Sequence, residues 1–181
     1  MPESIWPVLA PWSNFYIMAG SSAAALTGLM FVVITLATGL ERRSTQDGVS
    51  TFSTPTVVHF CAALLASAVL VAPWPSAVGP RWTIGIAALV GIAYGVRVIY
   101  RTLRLTTYNA DLEDWLGYAV LPLVAYVALL ASAIALQAFP PKALFVIAGA
   151  VALLIFIGIH NAWDTVTYLA IKHQEPPDSG S

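Results

Sequence analysis

Five long apolar stretches, at 14–40, 56–74, 82–105, 114–139 and 143–171, alternate along the chain with short polar or proline-bearing segments. A helix needs about 20 apolar residues to cross the ~30 Å hydrocarbon core of a bilayer, and these stretches have that length. The pattern predicts an all-α fold: a polytopic membrane helical bundle of five transmembrane helices, forming one domain over 1–172. The remaining 173–181 is polar, contains two prolines and has no apolar face to bury, so it is expected to be a disordered tail.

The punctuation between stretches supports the division. Thr54 followed by Pro55 reads as an N-cap with proline at the first helical position, which starts the second span. Pro73 and Pro75 end that span, and Pro140 with Pro141 separates the last two, because proline lacks a backbone donor and clashes with the preceding turn. Asp111, Glu113 and Asp114 cap the fourth helix and complement its dipole, and Pro122 is expected to kink it. Residues 1–13 carry Glu3, three prolines and no Lys or Arg, unlike the basic leader of a cleaved signal peptide; the first hydrophobic segment is expected to be retained.

Composition agrees with a membrane setting. Hydrophobic residues make up 59% of the 181 positions and charged residues 9%, with mean hydropathy +0.79, well outside the range of soluble globular domains. Eight Lys and Arg against nine Asp and Glu leave a net charge of -1, so no basic surface suggests nucleic acid as a partner. The single cysteine, Cys61, reads as a small buried apolar side chain. Arg42, Arg43, Arg101, Arg104 and Lys172 fall on one side of the predicted topology, and Arg81 and Lys142 on the other. That asymmetry predicts an external N-terminus and a cytoplasmic C-terminus, with Trp6, Trp12, Trp74 and Trp82 as outer interfacial anchors and Trp115 as an inner one.

Candidate chemistry lies where polar groups interrupt the apolar runs. His160, Asn161, Trp163, Asp164 and Thr165 follow the apolar block that begins at Ala143, and Arg97 interrupts the third stretch. An ionisable group near a bilayer centre costs about 2.5–3.5 kcal/mol even on the lenient insertion scale, so it marks a functional site by default. Arg97 lies eight residues before Leu105, and Asp164 eight before Lys172, which predicts equal depth and an Arg97–Asp164 ion pair. His160, Asp164 and Tyr168 follow one another at helical spacing, with Asn161 and Thr165 beside them, and His59 lies near the same end of the second helix. Tyr94, Arg97, Arg101 and Arg104 form a second polar stripe on the third helix.

Several functions fit these residues. The first is a small ion- or proton-conducting or transporting protein in which His59, Arg97, His160 and Asp164 line a cytoplasmic vestibule. The second is a structural or accessory subunit of a larger membrane complex, in which the charges only lock helices together. Metal binding by His160, Asp164 and His59 is opposed by the Arg97 charge and by the lack of a fourth ligand, so no metal site is assigned. No cofactor is predicted, haem held by His59 and His160 being the remaining option. An enzyme is not expected: there is no nucleophile elbow, no phosphate-cradling glycine loop and no HExxH motif.

Small residues recur at a spacing of four: Gly20, Ala24 and Gly28 on the first helix, Gly91 and Gly95 on the third, Gly158 and Ala162 on the fifth. Such stripes let helix backbones approach closely, within one chain or, for the first helix, between copies of a homo-oligomer.

The segments FYIMAGSSAAALTGLMFVVITLATGL (15–40), TFSTPTVVHF (51–60) and HNAWD (160–164) resemble a group of small bacterial integral membrane proteins of no established activity. The resemblance implies a multi-pass protein of the bacterial inner membrane and carries no catalytic role.

Overall fold

The structure is a computed structural model that describes residues 5–40, 46–104 and 116–172, with side chains described over 5–35, 55–100 and 117–167. The expectations for the 173–181 tail, the acidic cap at 111–114, Trp115 and the Tyr168 side chain lie outside these residues. Every regular element among the described residues is helical: α1 (Trp6–Leu9), a 3-10 turn (Ala10–Trp12), α2 (Ser13–Leu40), α3 (Gln46–Val71), α4 (Val78–Arg104), a π turn (Leu116–Val120), α5 (Leu121–Ala135) and α6 (Pro140–Lys172). Helices of this kind satisfy their backbone groups internally, which a hydrocarbon environment demands.

Among the described residues, four helical stretches are long and apolar enough to cross a membrane: Trp6–Thr35, Val78–Tyr100, Gly117–Ala135 and Pro140–Thr167. The apolar part of α3, Pro55–Val71, is shorter.

Three local expectations change. The first apolar helix starts earlier than residue 14, because Pro7 and Pro11 occupy first-turn positions, where a missing N–H costs nothing, and Ile5 and Leu9 anchor the segment in the core. Pro55 does not begin α3 but lies inside it, with helix running back to Gln46. One lost donor does not end a helix whose flanking turns stay bonded, and apolar helices tolerate proline by small local adjustments. Pro122 lies in the first turn of α5, directly after the π turn, so it stands at a helix start and not within one. Pro140 and Pro141 likewise occupy the first turn of α6 as their chemistry favours.

In cross-section α3, α6, α5 and α4 form a closed ring in that order, the α3–α4 seam being the loosest, and α2 lies against α3 and α6. Close contacts fix the register. Gly85 faces Ala133 and Gly95 faces Leu123, so α4 and α5 are antiparallel; Tyr16 of α2 donates its hydroxyl proton to the Leu144 carbonyl of α6 at 3.0 Å. Glycine permits three of the seams: a Cβ on Gly20 would lie 3.0 Å from Ser67 Cβ, one on Gly91 2.7 Å from Tyr126 Cγ, and one on Gly158 2.7 Å from Phe60 Cζ. Among the described residues a Cβ on Gly95 would meet Leu123, at 3.9 Å, Ala162 is half-buried, and Ala24 and Gly28 are exposed, a Cβ on Gly28 meeting no other helix within 4 Å. The packed face of α2 is instead Tyr16, Ala19, Ala23 and Met30.

The two ends of the ring differ. Toward the start of α6 the interior is apolar: Ile84, Leu136, Leu144, Ile147 and Val151 are all buried. Its rim carries Arg81, which donates to Gln137 Oε1 at 2.8 Å, and Trp74, which donates its indole N–H to the Val69 carbonyl at 2.6 Å. Trp82 and Trp6 are exposed there as interfacial anchors would be, whereas Trp74 is half-buried as a cap on α3. Toward the end of α6 the interior turns polar.

Candidate functional site

Six polar side chains are buried among the described residues, and four of them, Thr56, His59, Asn161 and Thr165, lie on α3 and α6 at the polar end. Their helices meet where Phe60 fills the space left by Gly158, so a turn either way along this seam reaches His59, Thr56 and Asn161. His59 is 2% exposed, and its Nδ1 lies 3.0 Å from the Tyr126 hydroxyl of α5. Tyr126 is itself buried against Gly91, and Tyr94 and Cys61 are near enough to act on its phenol electrostatically. Thr165 donates to the Asn161 carbonyl at 2.8 Å, which leaves the Asn161 carboxamide untouched.

Three side-chain atoms here are buried with no hydrogen-bond partner among the described residues: His59 Nε2, Asn161 Nδ2 and Asn161 Oδ1. Burying an unsatisfied polar group costs about 1–3 kcal/mol, so native structures keep few of them. Ser67 Oγ is a fourth such atom, farther along α3 beside Gly20.

His160 and Asp164 do not share this interior. They pair with each other across one helical turn, Nε2 to Oδ2 at 3.5 Å, and their side chains are 45% and 43% exposed. The run 160–165 therefore does not form one polar stripe; Asn161 and Thr165 turn into the bundle while His160, Trp163 and Asp164 turn out of it. Adjacent helical positions are about 100° apart, which separates the two sets. Gly117 of the π turn sits where they part, with the place of its missing Cβ 3.4 Å from His160 Cδ2 and 3.5 Å from Asn161 Oδ1.

Arg97 does not meet Asp164. It is exposed on α4, and α5 stands between α4 and α6. The depths differ as well. The α4–α5 register puts Arg97 near Leu121, and the pairing of Gly117 with His160 and Asn161 then puts Leu121 near Ile157. Asp164 lies about seven residues farther along α6, roughly 10 Å at 1.5 Å per residue. Counting back from helix ends fails because α6, at 33 residues, runs past its neighbours. Cys61, expected to be buried, is exposed on the outer side of α3, since Phe60 and Ala63 take the inward positions.

An Arg97→Gln variant should therefore fold and melt as the parent does, within about 0.5 kcal/mol, as surface changes usually do. Thermal unfolding in detergent checks this; a clear loss of stability would mean that Arg97 has a partner.

Among the described residues no three His, Cys, Asp or Glu side chains are grouped within reach of one metal ion. The two imidazoles considered for haem occupy different settings, His59 in the interior against Tyr126 and His160 at the surface against Asp164. Sequence reasoning missed Tyr126, Thr56 and Gly117. A phenol within the apolar run LPLVAYVALL needs a buried partner, and that was the available signal for Tyr126. Comparison with known protein families, characterised proteins and solved structures finds no match to this chain.

Proposed function

We propose that this is a small ion- or proton-translocating protein of the bacterial inner membrane, with five spanning helices, an external N-terminus and its polar end toward the cytoplasm. The observation that carries this reading is the set of unpartnered polar atoms on His59 and Asn161, fully enclosed on neighbouring helices. A protein that only needed its helices locked would gain from satisfying or removing them. The exposed His160–Asp164 pair stands at the mouth of the same region, one residue from Asn161, and an acidic group there concentrates cations from the cytoplasmic side. Beyond Tyr126 the interior is mostly apolar, with Ile84, Leu136, Leu144, Ile147 and Val151 buried, and this stretch is the barrier in the proposed reading. An enclosed polar site with a charged pair at the nearby surface suits a transporter that exposes it to each side in turn better than an open pore.

Reconstituted liposomes test this. Proton or alkali-cation movement above that of protein-free vesicles is expected in assays spanning about pH 5 to 8. Fluxes equal to the protein-free control for every ion across that range would refute it.

A second reading, an accessory subunit or homo-oligomer, draws on one observation: Ala24 and Gly28 leave a flat, small-residue face on the outside of α2. It predicts stable partners on gentle extraction and no ion movement by the chain alone.

A further inference from the structure

Resting on the translocation reading, we propose that the species handled is the proton, and that His59, hydrogen-bonded at Nδ1 to Tyr126 and unpartnered at Nε2, is the group that binds it. The donor set decides the ligand class. A dehydrated alkali or alkaline-earth cation takes six or more oxygen ligands, whereas a proton takes one lone pair. The buried side chains at this end are neutral, and the one nearby carboxylate among the described residues, Asp164, is half outside the bundle and paired with His160. Thr165 has turned its hydroxyl onto its own helix. The atoms without a hydrogen-bond partner at this end, among the described residues, are one imidazole nitrogen and the two ends of one carboxamide, too few for a metal cation and enough for a proton, which needs a single lone pair.

The geometry gives each group a role. In the tautomer that carries its hydrogen on Nδ1 and donates it to the Tyr126 oxygen, Nε2 presents its lone pair toward the unpartnered side. A hydronium ion transfers its proton to Nε2 and departs as water, leaving an imidazolium held by Tyr126. Release is the same transfer in reverse, from Nε2 to a water molecule on the opposite side. No electrons move and no bond other than N–H and O–H is made or broken. The groups acting on Tyr126 are Tyr94 and Cys61, and α6 contributes Asn161 inside the bundle and the His160–Asp164 pair at its surface. The Asn161 carboxamide is the polar group through which the entering water is held on the path from His160 past Gly117.

The test uses the full chain in liposomes, with an internal pH dye and, separately, sodium- and potassium-selective dyes, under an imposed membrane potential. Proton entry without sodium or potassium entry is expected. His59→Gln should reduce it at least tenfold, to the protein-free level, and Tyr126→Phe several-fold. Tyr126→Phe retains the ring packed on Gly91, so it tests the relay even if His59→Gln fails to fold. Sodium or potassium flux in place of proton flux would overturn the proton assignment while leaving translocation intact. Proton flux unchanged in folded His59→Gln, or in Tyr126→Phe, would overturn the role of this pair. No flux of any ion would remove both proposals together.

Discussion

Gly158→Leu should prevent the bundle from assembling, at a cost of more than about 3 kcal/mol, the upper end of what overpacking usually brings. A Cβ at Gly158 falls inside the contact distance of three Phe60 ring carbons, and Phe60 is completely buried. Relief would require α3 and α6 to separate, which would open the seam that holds His59 and Asn161. Gly28→Leu is the matched control: it has the same chemistry in a helix of similar length, with nothing within 4 Å of the added Cβ. Thermal unfolding of the two variants in detergent should show the first absent or strongly destabilised and the second like the parent. Equal behaviour of the two would mean that the α3–α6 register is wrong.

Asn161→Leu should have the opposite effect on stability and remove function. The Asn161 side chain is fully buried, and neither end of its carboxamide has a partner among the described residues. Leucine branches at the same atom and has no polar atoms to desolvate, so the variant should gain stability, by at most the about 1–3 kcal/mol cost of an unsatisfied buried polar group. If the carboxamide holds the entering species, ion movement in liposomes should fall to the protein-free level in the same variant. A residue kept against stability is what a stability–activity trade-off looks like. A variant that is less stable and equally active would show instead that Asn161 is a structural group with partners of its own. The pair of measurements thus separates a translocation site from a packing detail more sharply than loss of activity alone.

The charged residues drew attention in the sequence because charge is costly in an apolar run, yet charge did not reveal contact. Arg97 and Asp164 looked matched because each lies eight positions from the end of its stretch. That count assumes helices of equal projection, whereas α6 extends past its neighbours and α5 separates it from α4. The neutral residues decided the interior. Nothing in the alanine-rich run of α2 marks Ala23 as buried and Ala24 as exposed, because an all-round apolar helix has no polar face to set its rotation. The same ambiguity concealed Cys61 on the outside and Thr56 on the inside.

By itself the sequence determined that the chain is helical, roughly where its helices lie, and that polar chemistry gathers toward one end. Apolar length and proline position are local properties, and a backbone without water has few other ways to satisfy its hydrogen bonds. Only the tertiary structure decided which helices are neighbours, how far each slides along the next, and which way each side chain turns. Those depend on how Gly91 admits Tyr126 and Gly158 admits Phe60, contacts between residues far apart in the chain. They turned one apparent polar stripe into two sites, an exposed His160–Asp164 pair and a buried His59–Asn161 interior, with Gly117 between His160 and Asn161.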